Sequence, residues 1–163
     1  MGFGTGLNAL LTFIFHQRSG VKIEYESIEK FPLSLTEVKH LNFLEQLQRG
    51  DLLEIFLRMH EKEGKLQLSP GFSLEKKVMD LERYESEQQF DIIFYDAFAP
   101  EVQPDLWTEK VFEKMYHLLC GEGILVTYCV KGEVRRRLKK VGFQIEKLKG
   151  PEGGKREVLR AKK

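Results

Sequence analysis

The chain begins with a glycine-rich loop, Gly2-Phe3-Gly4-Thr5-Gly6-Leu7-Asn8, followed directly by an apolar run over residues 9–15. Glycines at alternate positions let the backbone adopt positive φ and approach a ligand closely. The apolar run is predicted to form a helix whose first N–H groups point toward that ligand. The dinucleotide fingerprint G-x-G-x-x-G is not matched, because Leu7 stands where its third glycine belongs. The G-x-G-x-G spacing therefore favours a nucleoside cofactor without a pyrophosphate.

Two acidic residues follow predicted strands, Glu29 after residues 21–28 and Asp80 after residues 72–78. Ligands of open α/β sheets bind beyond the carboxyl ends of the strands. We therefore expect Glu29 to accept hydrogen bonds from ribose hydroxyls and Asp80 to meet an adenine amino group. The alternatives are a surface ion pair of Glu29 with Lys30, and an N-cap role of Asp80 for the helical turn after it.

The most apolar predicted strand, residues 90–95, ends at Asp96. A nearly continuous apolar run is typical of a strand that is buried on both faces. Asp96 could hold a nucleophilic amine by its N–H groups, beside a loop that Pro100 rigidifies. Phe98 or Trp107 could stack on a planar base, although core packing is an equal alternative for both aromatic residues.

The charge is distributed unevenly along the chain, although the formal net charge is only +1. Residues 131–163 carry 13 Lys/Arg and four Asp/Glu, whereas residues 1–130 carry 13 and 21. Such a basic segment suits a polyanionic partner. A solvated helix face with a basic terminus is the alternative.

The elements that position these residues alternate between strands and amphipathic helices, which predicts an α/β fold with a mostly parallel sheet. The 163 residues are expected to form a single domain without a membrane-spanning segment or signal peptide. Two cysteines and four histidines lack metal-ligand spacing, so we expect no metal site, reduced cysteines and surface or helix histidines. Further predicted elements are helices at 33–43, 52–61, 108–119 and 133–141, a strand at 124–128, and an antiparallel hairpin of 143–147 with 158–160.

These features resemble the class I S-adenosylmethionine-dependent methyltransferases over nearly the whole chain. A narrower resemblance, to the MnmC-type methyltransferase domain, rests on DIIFYDAFAP with a Trp-Thr pair shortly after it and on a terminal Gly-Lys-Arg-Glu. The matching segments are residues 2–8, 29–32, 91–100, 104–108, 126–128, 134–136 and 154–157.

The resemblance implies a Rossmann-like fold that binds S-adenosylmethionine. It implies N-methylation of the aminomethyl group on a modified wobble uridine of tRNA, yielding 5-methylaminomethyl-2-thiouridine in the cytoplasm. Some members are fused to a flavin-dependent oxidase, so we expect a functional link to such an oxidase or to the enzymes that install the aminomethyl group. The implied cofactor contacts are Gly2, Phe3, Gly4, Gly6, Asn8, Glu29, Lys30 and Asp80. Asp96 is expected at the reacting amine, and the substrate contacts are Phe98, Pro100, Trp107, Arg136, Lys155 and Arg156.

The sequence departs from the family pattern in three places. Met79 stands where a glycine usually precedes the adenine-contacting aspartate, and Cys120 and Glu122 replace residues of a Pro-Gly-Gly turn. The central first strand, which ends in an acidic residue near the cofactor, is missing before Gly2, so we expect an N-terminally truncated domain. Two other functions therefore stay open, namely a catalytically impaired fragment of this fold and a small-molecule N- or O-methyltransferase.

Overall fold

A computed structural model of the chain describes residues 2–61, 63–151, 153–154 and 156–163. These residues divide into two compact units, residues 2–84 and residues 85–163. Each unit has its own sheet. We call them the first and the second unit.

The first unit is built on a three-stranded sheet in the order β1-β3-β2. Strands β1 and β3 are parallel, and β2 runs antiparallel to β3. Two short 3-10 turns, Gly50–Leu52 and Leu81–Arg83, complete the unit. Its helices and strands are α1 (Leu7–Ser19), β1 (Ile23–Glu29), α2 (Leu35–Val38), α3 (Phe43–Gln46), α4 (Leu53–Glu61), β2 (Gly64–Ser69) and β3 (Phe72–Val78).

The apolar core of the first unit joins its helices to its sheet. Helix α1 contributes Leu10 and Phe13, α4 contributes Phe56 and Met59, and β3 contributes Phe72, all almost completely buried. The Phe13 and Phe72 rings meet edge to face with their centroids 5.1 Å apart. Burial of these large side chains holds the N-terminal end of α1, and with it the glycine loop, on the sheet.

The sequence prediction differs from this unit in two elements. A single helix was predicted over residues 33–43, but the chain forms α2 and α3 instead. Ser34 and Glu37 form a capping box at the start of α2, which ends after four residues. Strand β2 was not predicted, although its alternation of exposed and more buried residues has the period of two that marks a strand.

The second unit contains a four-stranded sheet in the order β4-β5-β7-β6. Strands β4 and β5 are parallel, whereas β5 with β7 and β6 with β7 are antiparallel. A 3-10 turn, Pro104–Trp107, precedes the first helix of the unit. The elements are β4 (Phe90–Phe94), α5 (Glu109–Leu118), β5 (Leu119–Thr127), α6 (Gly132–Val141), β6 (Gln144–Lys149) and β7 (Glu157–Lys162).

The helix ends and the C-terminal hairpin of this unit confirm the prediction. The Thr108 hydroxyl caps α5 by accepting the Val111 amide, and Gly142 ends α6 with φ of 117°. The predicted α/β fold is confirmed, and its sheets are mixed, because β2 adds an antiparallel pair to those of the predicted hairpin. One prediction is wrong. Strand β4 is not buried on both faces, since Ile92 is 48% exposed on this edge strand.

Within the described ranges, no helix is long and apolar enough to cross a membrane. Cys120 is partly exposed and Cys129 is buried, and both are free thiols. No group of His, Cys, Asp or Glu side chains suited to a metal ion is present among the residues that the structure describes. Two histidines, His16 and His60, lie on helices as expected but are buried rather than exposed.

Candidate functional site: a glycine loop and an acidic loop

The glycine loop of the first unit has the backbone geometry of a ligand cradle. Gly2, Gly4 and Gly6 have φ of 76°, 51° and 76°, a region that glycine adopts without strain. Gly6 is the N-cap of α1 and no side chain caps that helix end. A Cβ at Gly4 would meet no atom within 4 Å, so the space beside it is open. The loop therefore has open space beside Gly4, and no side chain caps the first amides of α1.

Glu29 at the end of β1 is bound to this loop. Its Oε2 accepts the Gly4 amide at 2.9 Å and its Oε1 accepts the Phe31 amide at 2.8 Å. The alternative of an ion pair with Lys30 is wrong, because Lys30 binds Asp80 instead. A carboxylate has about four lone-pair positions, so Glu29 keeps acceptor capacity for two vicinal hydroxyl groups.

Asp80 emerges beside Glu29, because Glu29 pairs with Val78 in the parallel register of β1 and β3. Its carboxylate accepts the Lys30 ammonium at 2.7 Å and the Glu82 amide at 3.0 Å. The pKa of Asp80 lies below its ordinary value, mainly because of the hydrogen bond from Lys30 and next because of the Glu82 amide. The N-cap role is therefore present, and the adenine contact stays a prediction.

Two further residues predicted to bind cofactor lie in the loop or just after it. The Phe3 side chain is buried beneath the loop, where its ring packs against His60. Only the backbone of Phe3 is thus available to a ligand. Asn8 lies in the first turn of α1 and is partly exposed.

In the second unit, Asp96 follows β4 and is exposed. It lies in the segment of residues 95–107, which we call the acidic loop. The residue before it is a buried anchor, since the Tyr95 amide donates to the Val126 carbonyl at 2.8 Å and its hydroxyl to the Leu106 carbonyl. Burial raises the pKa of Tyr95 well above its ordinary value, so this phenol stays neutral and a donor. The buried Tyr95 thus fixes the backbone from which the Asp96 carboxylate projects.

The two aromatic residues predicted to stack on a base have opposite environments. Phe98 is 73% exposed, whereas Trp107 is 0% exposed. The Trp107 indole donates to the Phe98 carbonyl at 2.7 Å and its ring packs edge to face on Tyr95. A stacking role for Trp107 therefore does not match its burial, because neither ring face reaches solvent. Trp107 supports the loop, and Phe98 is the aromatic side chain that it presents next to the partly buried Pro100.

Tyr128, just after β5, is a contributor to this loop that the sequence reasoning did not select. Its hydroxyl donates to the Ala97 carbonyl at 2.8 Å. Burial, with smaller contributions from Cys129 and the Asp96 carboxylate, raises the pKa of the Tyr128 phenol. The matching segment 126–128 contained the signal, since a tyrosine just past a strand end can reach the neighbouring strand's loop.

Half of the 12 described Lys and Arg residues in the basic segment 131–163 are paired with acidic side chains. Six of its cations form ion pairs: Lys131 with Glu101, Arg137 with Glu133, Lys140 with Glu109, Lys147 with Glu157, Arg160 with Glu146, and Lys162 with Glu122. Arg137 also donates to the Trp107 carbonyl at 2.8 Å and so helps to hold the acidic loop. These pairs remove much of the net positive potential that the composition suggested.

Arg135 and Arg136 on α6 form no ion pair with another described residue. Their guanidinium groups lie over the first turn of that helix, 3.8 Å and 3.3 Å from the position of a Cβ on Gly132. Arg156 is exposed just before β7. Lys155, predicted to bind substrate, lies outside the described residues. Arg135 and Arg136 therefore remain as a pair of adjacent cations at a helix N-terminus.

Comparison with known proteins shows which family the chain belongs to. A sequence model of the S-adenosyl-L-methionine-dependent methyltransferase family matches residues 44–163. The chain belongs to this family. S-adenosylmethionine is accordingly its cofactor, and the open loop at Gly4, the helix end without a side-chain cap and the Glu29 carboxylate suit that nucleoside.

The chain is similar to several MnmC proteins. It is 33% identical, over 98% of its length, to the tRNA 5-methylaminomethyl-2-thiouridine biosynthesis bifunctional protein MnmC of Pseudomonas fluorescens strain Pf0-1. It matches the crystal structure of MNMC2 from Aquifex aeolicus with a TM-score of 0.78 and 25% identity, over 98% of this chain and 50% of the other. A Pyrococcus furiosus methyltransferase, 15% identical over 99% of this chain and 71% of its own, shares the fold with a TM-score of 0.57. The fold is thus that of the Rossmann-like methyltransferases, and the chain spans 25% of the MnmC protein.

Proposed function

We propose that this methyltransferase methylates the aminomethyl nitrogen of a modified wobble uridine in tRNA. The observation that carries this proposal is the 33% identity, over 98% of the chain, to a protein named for 5-methylaminomethyl-2-thiouridine biosynthesis. The similarity to MNMC2 over 98% of this chain supports the same substrate. Since tRNA is a cytoplasmic substrate in bacteria, a cytoplasmic location follows from the proposal.

The chemistry needs few groups from the protein. S-adenosylmethionine, when bound, supplies a methyl group on a positively charged sulfur, which is electrophilic without further activation. The protein must therefore hold a neutral amine in line with that methyl group and exclude water. No metal ion and no covalent nucleophile is required of the chain.

Asp96 is the catalytic residue of this proposal. Its exposed carboxylate accepts the N–H groups of the amine, which turns the nitrogen lone pair away from the carboxylate. The proton released on methylation passes to Asp96 or to water. The anchors at Tyr95 and Tyr128 fix the backbone on both sides of Asp96, so this acceptor is held in place before the substrate arrives.

Phe98 and the arginines of α6 supply the substrate contacts. An exposed phenylalanine can stack on an unstacked base, and bases of a single-stranded anticodon loop are inexpensive to unstack. Arg135 and Arg136 suit phosphate groups, because they lie at a helix N-terminus and form no ion pair with another described side chain. The aminomethyl group must come from an earlier enzyme, and the bifunctional relatives favour a flavin-dependent oxidase or the installing enzymes as functional partners.

Transfer of tritiated methyl groups from S-adenosylmethionine to tRNA from cells that lack this modification step tests the proposal. Label is expected in one nucleoside, the methylaminomethyl uridine of the wobble position. A small-molecule amine or alcohol methylated in preference to this tRNA would instead support the small-molecule alternative.

A further inference from the structure

His60 on α4 lies directly beneath the glycine loop. It is 8% exposed, and its Nε2 is 2.7 Å from the position that a Cβ would take on Gly6. The ring packs edge to face against Phe3 at 4.9 Å and against Phe56 at 5.0 Å between centroids. The imidazole thus fills the space that the missing side chain of Gly6 leaves open.

The hydrogen bonding of His60 is unusual for a buried histidine. Its Nε2 is buried and makes no hydrogen bond of good geometry with a described residue, the backbone of Thr5 acting on the ring only weakly. His16, equally buried in the same unit, uses both ring nitrogens, one toward the Val21 carbonyl at 2.7 Å and one toward the Ser69 hydroxyl at 2.9 Å. An unsatisfied buried nitrogen is costly, so His60 is not explained by filling of the core alone.

The charges around His60 keep its ring neutral. Burial and, to a lesser degree, the neighbouring Lys76 ammonium lower the pKa of His60 to about 4, against a smaller opposing effect of the Thr5 backbone. Lys76 donates to the His60 carbonyl at 2.9 Å and lies 5.1 Å from the centroid of the Phe3 ring. Glu63 is the acidic group that acts on Lys76 in turn. A second positive charge on the imidazole would therefore be placed beside a buried ammonium.

We propose that His60 is a positioning residue for S-adenosylmethionine, which holds the glycine loop from below as a neutral imidazole. The ring keeps Gly6 and Phe3 in place, since it touches both. Gly6 in turn begins α1, and the Gly4 amide two residues earlier binds Glu29. His60 thus acts on the cofactor through the loop, without touching it. The proposal depends on the cofactor of the family and is independent of the tRNA substrate.

A matched pair of neutral amides tests this role in the full chain. His60→Gln places its terminal amide near the position of Nε2, whereas His60→Asn ends one atom short and leaves the space under Gly6 empty. Calorimetry with S-adenosylhomocysteine at pH 7.5 is expected to give affinity within about threefold of the parent for His60→Gln and at least tenfold weaker for His60→Asn. Equal affinities of the two variants for S-adenosylhomocysteine, whether both keep the parental affinity or both lose it, would contradict the proposal.

Two controls separate positioning from general stability. Val38→Ala removes buried methyl groups on α2, so it should lower the unfolding temperature without changing the affinity for S-adenosylhomocysteine. The second control is an NMR pH titration of the parent chain, which does not depend on the folding of a variant. The His60 ring is expected to stay neutral down to about pH 4, and the Gly4 and Gly6 amide resonances should shift together with its protonation. A ring that titrates without moving those amides would refute the coupling.

Discussion

The Gly4 amide donates to the Glu29 carboxylate at 2.9 Å, which joins the middle of the glycine loop to the end of β1. This contact spans 25 positions of the sequence and lies where the parallel strands β1 and β3 end. The carboxylate thus shapes the glycine loop and keeps acceptor capacity for the hydroxyl groups of a ligand.

Replacement of Glu29 by glutamine should weaken cofactor binding. The amide keeps one acceptor oxygen but turns its NH2 group toward a backbone donor, Gly4 or Phe31. Hydrogen bonds to a charged group contribute roughly 1.5–3 kcal/mol, so affinity for S-adenosylhomocysteine should fall about 10- to 100-fold in calorimetry. Glu24→Gln, on the exposed face of the same strand, is the matched control. Parental affinity of the Glu29 variant would remove this residue from the cofactor site.

Replacement by alanine should have different effects at the two aromatic residues of the acidic loop: it should affect substrate binding at Phe98 and stability at Trp107. Phe98→Ala should raise the KM for tRNA while the unfolding temperature stays unchanged, because this ring is 73% exposed. Trp107→Ala should lower the free energy of unfolding by about 3–5 kcal/mol, since its ring is completely buried. Steady-state kinetics and thermal unfolding of both variants check this. A Phe98 variant with parental KM would mean that its ring does not contact the substrate.

The tRNA contacts should depend on the arginines of α6 more than on the paired lysines. Arg136→Gln is expected to weaken tRNA binding and to reduce the slope of log affinity against log salt by about 1. Lys140→Gln should reduce the slope less, because Lys140 is paired with Glu109 at 2.6 Å. Filter binding at several salt concentrations measures both slopes. The same loss for both variants would indicate a diffuse electrostatic attraction instead of a contact at Arg136.

Stability should fall in mild acid because of His60. Its pKa is about 4 in the folded chain against 6.5 in its ordinary state, so between these values the unfolded chain binds more protons. The neutral His60 thus contributes roughly 3 kcal/mol to the free energy of unfolding. This contribution is present above pH 6.5 and is lost as the pH falls toward 4. The free energy of unfolding in urea should therefore differ less between pH 7 and pH 4.5 for His60→Gln than for the parent. His40→Gln, which removes an exposed histidine of the same unit, is the matched control.

The strand ends and the helix caps could be predicted from the sequence because their causes are local. The glycine loop, the Thr108 cap and the end of α6 at Gly142 each depend on residue types within one turn of the chain. The acidic residues Glu29 and Asp96 could be selected because each lies where a strand pattern ends, alternation of apolar and polar residues for β1 and an apolar run for β4. These positions carried the prediction of the cofactor and of the reacting group.

The burial of particular side chains could not be predicted, because it depends on contacts between distant segments. Trp107 is a loop anchor and Phe98 is exposed, although both are aromatic residues of the same segment. The pairing of the basic residues likewise depends on acidic partners that the fold brings near, as for Lys140 and Glu109. His60 is buried beneath a loop that is more than 50 residues away in sequence.

The central claim is that Asp96 positions the amine of an aminomethyl uridine for methylation, and single-turnover methyl transfer to undermodified tRNA tests it most directly. Asp96→Asn should lower the rate about 10²- to 10⁴-fold, while the affinity for S-adenosylhomocysteine stays within about threefold of the parent. Asp105→Asn, an exposed acid in the same segment, serves as the control and should retain the parental rate. A parental rate for Asp96→Asn, or a parent chain that binds cofactor and methylates no wobble uridine, would contradict the account.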